Sequence, residues 1–454
     1  MNILEHENKR ILYEFKIVEN IENLLGLPCY PILNDTVKFY PPIFTDLIQK
    51  SEAQNVDNSM LNDGIVYIDT YEETGDMYYL DTYTGLIYRY DGEFNVLSSG
   101  NFSSQHDIFD AAYFRQYLKD QTIKNRILTY SGIGVREIFS LDYMGYRLSD
   151  VFSVPILEYH AENRKELDEI INTIKSCLSQ TRFFKKLWFR GQRAEYPNIR
   201  SNETIQKLGF NNGYNTMPSL VPSLGRNISL ENYSTISNEV IRWKIAFKIW
   251  TLVQTKEYKD LLGLGTSGYE EMMTYIEKDK LAEFIKDYPY DLSDYLINEY
   301  SEEKATILTT QQYGGYSSML DITDDIDVAI FFTQSRLNLE KNKYELCVPT
   351  EKNVVYVFAE GRGTSTINIS NDFLDLNNAD YIPTRIKNQK CGLLTGANIF
   401  AKNTYAYRVI AKIYLKNGNF HTTKKVEELF PSKEKDPLYH VFTDIKPQLK
   451  GLYG

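Results

Sequence analysis

The chain has 454 residues, 43% of them hydrophobic, and a formal net charge of -11; this length predicts about two or three domains with ordinary apolar cores. Its four cysteines (Cys29, Cys177, Cys347, Cys391) show no Cys-x-x-Cys spacing and its five histidines no ligand-like interval, which excludes a zinc motif and a disulfide scaffold and fits a reducing cytoplasm. With no basic-then-apolar leader and no apolar run of about 18 to 20 residues, neither secretion nor a membrane span is expected.

The acidity is concentrated at one end. Residues 1–100 hold 17 acidic and 6 basic side chains, and the rest of the chain holds 44 of each. This split predicts a separate acidic α+β module over residues 1–145, which could face a basic protein partner, mimic nucleic acid, or serve as a solubilising face. Residues 64–69 read as a strand, and 77–90 as a tyrosine-rich hairpin around Gly85. Residues 107–120 read as a helix, followed by a connector over 121–160.

The second module begins with an amphipathic helix over 162–178. Leu167, Ile170, Ile171, Ile174 and Leu178 form its apolar stripe. The aromatic strand Leu187-Trp188-Phe189 then delivers Arg190, with Gly191 and Gln192 after it. Helices over 235–255 and 269–298 predict a helical insertion at 227–305. After Phe332 the pattern turns to strands, at 354–358 and from Tyr405 to Tyr414.

Two long-separated segments carry the chemistry. A guanidinium at a strand end, such as Arg190, can clamp a phosphate or carboxylate with paired hydrogen bonds. It can equally be tied to an internal carboxylate. Gly191 permits close approach of a ligand or of another backbone. The second segment, Gln311 to Phe332, contains Gln312, Tyr313 and a Gly314-Gly315 turn with the hydroxyls of Ser317 and Ser318. Asp321 lies between Leu320 and Ile322, so it is expected to be partly buried and to need a partner, for which Arg190 is the natural candidate. Thr323 or Asp324 is expected to cap a helix starting near 325, with Asp324, Asp325 and Asp327 as capping and solvated acids. Pro222 to Arg226 and Arg385 to Gly392, which includes Gln389, add two further patches.

In this order the patches resemble the FRG domain family. Phe189-Arg190-Gly191 matches the signature, Pro222-Ser223-Leu224-Gly225-Arg226 a Pro-Ser-Leu-x-Arg stretch, and Gln311 to Phe332 the long central motif. Arg385 to Gly392 matches an Arg-Ile-x-x-Gln-x-Gly patch, and Leu429-Phe430-Pro431 a terminal Leu-Phe-Pro. The resemblance covers about residues 158–450, within a second module expected over 155–450. It departs at Gln312, where the family has histidine, and at Tyr316 to Ser318, where it has a Pro-Thr-Arg-like run. An obvious general base and one cationic anchor are thereby missing. The N-terminal module loosely resembles the SUKH superfamily.

The resemblance implies a bacterial or phage-related effector, toxin or antiphage defence protein whose second module, a mixed sheet, binds a nucleotide-like ligand. An NAD-dependent ADP-ribosyltransferase-like activity is one implied reading. Arg190, Asp321, Thr323 and Gln389 (or Glu360 in place of Gln389) would then be catalytic, and Gly191, Gln192, Arg226, Gln312, Tyr313, Gly314, Ser317, Ser318 and Arg385 would bind the ligand. The alternatives are a non-catalytic module for an acidic or phosphate-bearing ligand, and a nuclease-type toxin. No resident metal is expected, and no basic patch with interleaved aromatics points to nucleic acid.

Overall fold

The computed structural model describes residues 9–17, 20, 40–97, 111, 113–120, 145–147, 155–181, 184–208, 216–222, 312, 319–338, 343–361, 373–375, 384–394, 403–416, 420–432 and 435–436. The expected insertion at 227–305, with its two helices, lies outside the described residues.

The fold is α+β. Helices α1 (Tyr40–Ala53) and α2 (Asn58–Asn62) lead into an antiparallel meander: β1 (Ile65–Tyr71), β2 (Asp76–Asp81), β3 (Ile87–Tyr90), β4 (Phe94–Leu97) and β5 (Gly145–Arg147). Period-2 alternation buries both faces of this sheet. Val66, Tyr78, Leu80 and Ile87 pack together with Leu47 of α1. Tyr67, Tyr79, Tyr88 and Phe94 point the other way. The β2–β3 turn is held by Asp81, whose Oδ1 accepts from the amides of Tyr83 (2.9 Å) and Thr84 (3.3 Å). Gly85 follows at φ 78°, a left-handed position that favours glycine.

The second sheet has seven strands in the order β14-β15-β10-β7-β13-β16-β6. They are β6 (Leu157–Ala161), β7 (Phe184–Gln192), β10 (Leu320–Thr323), β13 (Val354–Gly361), β14 (Phe373–Asp375), β15 (Cys391–Leu394) and β16 (Val409–Leu415). All neighbours are antiparallel except β16 and β6. Helix α3 (Arg164–Leu178) packs Leu167, Ile174 and Leu178 on one face, as its stripe predicts. Asn163 caps it by accepting from the Glu166 amide at 3.1 Å. Other described elements include two small strand pairs and short helices: β8 (Pro197–Ile199) with β9 (Thr216–Pro218), β11 (Ser335–Asn338) with β12 (Lys343–Leu346), α4 (Asn202–Lys207), α5 (Ile326–Thr333), α6 (Thr384–Asn388), α7 (Thr404–Tyr407) and α8 (Val426–Leu429). Among the described residues no helix is long and apolar enough to cross a membrane.

The two sheets share a core. Tyr67, Tyr79, Tyr88 and Phe94 of the first cluster with Trp188, Tyr356, Phe358 and Val409 of the second. Polar ties cross the same junction. Asn403 donates its amide to Tyr83 O at 2.8 Å, and Ser201 donates Oγ to Asp63 Oδ2 at 2.7 Å. The helical residues 113–119, expected with the acidic module, pack instead on the second sheet: Phe114 and Tyr117 join Leu187, Phe189 and Ile410. Arg115 Nη1 donates to Val409 O at 3.2 Å.

Two local expectations are corrected. Tyr405 to Tyr407 is a helical turn, and the strand begins at Val409. Asn403 anchors that turn through its backbone to Tyr83 and through Oδ1 to the Leu220 amide, contacts invisible to strand propensity. The cap of α5 is Asp325, which accepts from the Asp327 amide at 2.8 Å. Thr323 is still the last residue of β10, and its hydroxyl donates to Gln389 O while accepting from the Asp325 amide.

Candidate ligand-binding site

Strand β7 carries the first motif, and its alternation sorts the side chains. Trp188 faces the core shared with the first sheet, while Leu187 and Phe189 face the helices. Gly191 shares the helical face. A Cβ there would meet Ala329 O of α5 at 1.8 Å, so this glycine admits a helix backbone rather than a ligand. At Gly392 a Cβ would meet Cζ3 of Trp188 at 2.4 Å; this glycine makes room for the indole. The indole Nε1 in turn donates to Glu360 Oε2 at 2.9 Å.

Strands β7 and β10 register at one position, Thr323 opposite Phe189. Arg190 is the next residue along β7. Its Nη1 reaches across to Asp321 O at 2.6 Å. The expected pairing of Arg190 with Asp321 thus includes a bond to the main-chain carbonyl. The Asp321 carboxylate accepts from Gln312 Nε2 at 2.8 Å, and the same amide donates to Cys391 Sγ at 3.3 Å. Gln312 O accepts from Arg385 Nη1 at 3.0 Å. Arg385 also pairs with Asp436 at 3.5 Å and lies 5.7 Å from the Phe430 ring. Phe430 stacks on Tyr344, centroid to centroid 3.9 Å.

The structure therefore joins Arg190, Gln312, Asp321 and Arg385 in one cluster, with Tyr344, Cys391, Phe430 and Asp436 around them. Burial, reinforced by Asp321, pushes the Cys391 thiol well above its ordinary range, with Arg190 and Gln312 opposing. The thiol stays protonated at neutral pH and is no thiolate nucleophile. The Tyr344 phenol is raised by burial and by Asp321, with Arg385 and Arg190 opposing. Phe430 carried a signal in the Leu-Phe-Pro tail. Tyr344 and Asp436 carried none, because only tertiary packing brings them here.

Other expected site residues are engaged in holding the fold. Thr323 donates Oγ1 to Gln389 O at 2.7 Å and accepts from the Asp325 amide at 3.1 Å. Gln389 is buried and donates Nε2 to Leu429 O at 3.0 Å. Glu360 is buried between Trp188 and Lys185. Asp324 pairs with Lys186, Asp325 with Lys390 and Lys424, and Asp327 with Arg164. Among the described residues, no group of three or more His, Cys, Asp or Glu side chains is placed to hold a metal. Gln192 lies at the end of β7, half-buried. Arg226, Tyr313, Gly314, Ser317 and Ser318 lie outside the described residues. Compared with protein-family models, with curated proteins and with solved structures, the chain matches none.

Proposed function

We propose that this chain is an FRG-like protein whose second sheet binds a nucleotide-like, phosphate-bearing ligand beside Arg190 and Arg385. One observation carries the reading. The two guanidiniums are each anchored by one Nη1 to a main-chain carbonyl, of Asp321 and of Gln312, and the Gln312 amide links those two segments. Anchoring of this kind sets the guanidinium plane in advance, which favours a planar or tetrahedral oxyanion. The setting is a reducing cytoplasm, in a bacterial or phage-related effector or defence protein whose acidic N-terminal surface meets a protein partner.

Binding without turnover is the reading the side chains favour over NAD-dependent transfer. A transferase needs a carboxylate or amide free to stabilise charge on the ribose. Gln389 and Glu360 are buried and bonded to Leu429 O and to Trp188 and Lys185. Titration calorimetry with AMP, NAD and inorganic phosphate tests the proposal. Arg190→Lys and Arg385→Lys keep the charge and lose the fork, so each is expected to weaken AMP binding roughly tenfold. A wild-type protein that binds none of the three probes overturns it. Transfer of label from NAD to a protein, lost in Arg190→Lys, would replace binding by catalysis.

A further inference from the structure

The two arginines of the candidate site are held in different ways. Arg190 extends from β7 and bonds Asp321 O of the neighbouring strand β10, so its anchor belongs to the sheet. Arg385 stands on α6, a helix of five residues, and meets groups from the late segment over 420–436.

That segment is fastened to the elements around the site. Leu429 is buried against Val328 and Phe331 of α5. Asn388 donates Nδ2 to Glu428 O at 2.6 Å and Gln389 donates Nε2 to Leu429 O at 3.0 Å, which ties the end of α6 to the segment. Phe430 stacks on Tyr344 of β12. The Asp436 amide returns to Ser432 O at 3.0 Å, and this turn brings the carboxylate back to Arg385.

The guanidinium of Arg385 is met on its edges and on its face. Its Nη1 donates to Gln312 O at 3.0 Å, the Asp436 carboxylate lies 3.5 Å from Nε, and the Phe430 ring centre lies 5.7 Å from Cζ. Asp436 is fully buried. A buried carboxylate is costly unless a cation meets it, and here that cation is a residue of the candidate site. The pair is charge-neutral, so what Arg385 offers a bound oxyanion is direction more than net charge.

We propose that Asp436 is a positioning residue for Arg385: it touches no ligand and holds the guanidinium in the plane that a bound phosphate meets. This inference rests on the phosphate-binding reading of Arg190 and Arg385. It makes the segment over 420–436 a working part of the site on the Arg385 side, while the Arg190 side depends on β7 and β10.

The sign of one effect separates this role from two simpler ones. Asp436→Asn removes a negative charge near the site. An electrostatic effect alone would therefore strengthen AMP binding. A role in folding alone would lower the melting temperature and leave the affinity of the folded protein unchanged. Positioning predicts that this affinity falls, roughly three- to tenfold, because the side chain must then be ordered at the moment of binding. Calorimetry with AMP on the full chain, well below the melting temperature of each variant, reads the change. A double-mutant cycle places it: the loss is expected again in an Arg190→Lys background and is expected to vanish in an Arg385→Lys background. Should Asp436→Asn not fold, Phe430→Leu takes its place in the same cycle, with an expected loss of roughly two- to fivefold, and the same outcomes decide. Stronger or unchanged AMP binding, or an equal loss in both arginine backgrounds, overturns the positioning role and leaves the phosphate reading standing. Wild-type protein that does not bind AMP, NAD or inorganic phosphate removes both.

Discussion

Arg200 donates Nη2 to both carboxylate oxygens of Asp81, at 3.0 and 2.8 Å, and so ties the loop after β8 to the β2–β3 turn. Both side chains are buried, and Tyr88 adds a hydroxyl to the same carboxylate at 3.2 Å. A desolvated charge pair thus joins the first sheet to the segment that follows β8, beside the apolar core the two sheets share.

Removing one partner strands the other charge in that core. Arg200→Met is expected to destabilise the protein by about 3–5 kcal/mol, and Asp81→Asn by a similar amount, in urea unfolding. The double variant should lose less than the sum of the two. Strict additivity would show that the pair is not coupled.

The same junction predicts that residues 155–454 do not stand alone. Without residues 1–145 they would expose Trp188, Tyr356, Phe358 and Val409 where Tyr67, Tyr79 and Tyr88 now pack. The fragment is expected to aggregate, or to bind a hydrophobic dye, and to recover on adding the N-terminal fragment. A soluble, cooperatively melting 155–454 fragment would contradict this.

Gly191→Ala separates packing from binding. Its Cβ has no space beside Ala329 O, so β7 and α5 must part, at about 1–3 kcal/mol or more. Were the glycine instead a ligand contact, AMP affinity would fall with the melting temperature unchanged.

Thr323→Val tests a residue of the motif that the fold has claimed. Loss of its bonds to Gln389 O and the Asp325 amide should cost about 1–3 kcal/mol of stability, while AMP affinity at saturating fold is retained. Lost affinity in a folded variant would return Thr323 to the site.

Asp325 links the helix start to pH. Burial raises its carboxyl, but the hydrogen bond from Lys390, the Asp327 amide and the Lys424 charge outweigh this and leave it below its ordinary value. A carboxyl depressed on folding stabilises fully above its unfolded value of about 3.9 and loses that contribution as pH falls through the folded value. Asp325→Asn keeps a good cap and removes the charge. Its deficit relative to wild type, read from urea midpoints, should be present at pH 7 and shrink below about pH 4. A deficit independent of pH would show that the cap alone matters.

The sequence by itself determined the elements whose signals are local. Period-2 aromatic alternation marks β1 to β3, the 3.6-residue stripe from Leu167 to Leu178 marks α3, and Gly85 marks the hairpin turn. Motif order also brought forward Arg190, Gln312, Asp321 and Arg385 among a longer set of candidate site residues, and the structure gathers these four. What only tertiary structure decided is how each side chain is used. Thr323, Gln389 and Glu360 have the same chemistry as catalytic groups, but their neighbours are main-chain carbonyls, an indole and a lysine brought from distant strands. Gly191 reads as room for a ligand or for another backbone, and only the packing of α5 decides for the backbone. Arg190 keeps its place in the candidate site and bonds a main-chain oxygen there, because a guanidinium also takes the oxygen that the meeting of β7 and β10 presents. That oxygen is the main-chain carbonyl of Asp321, whose position depends on strand register rather than residue type.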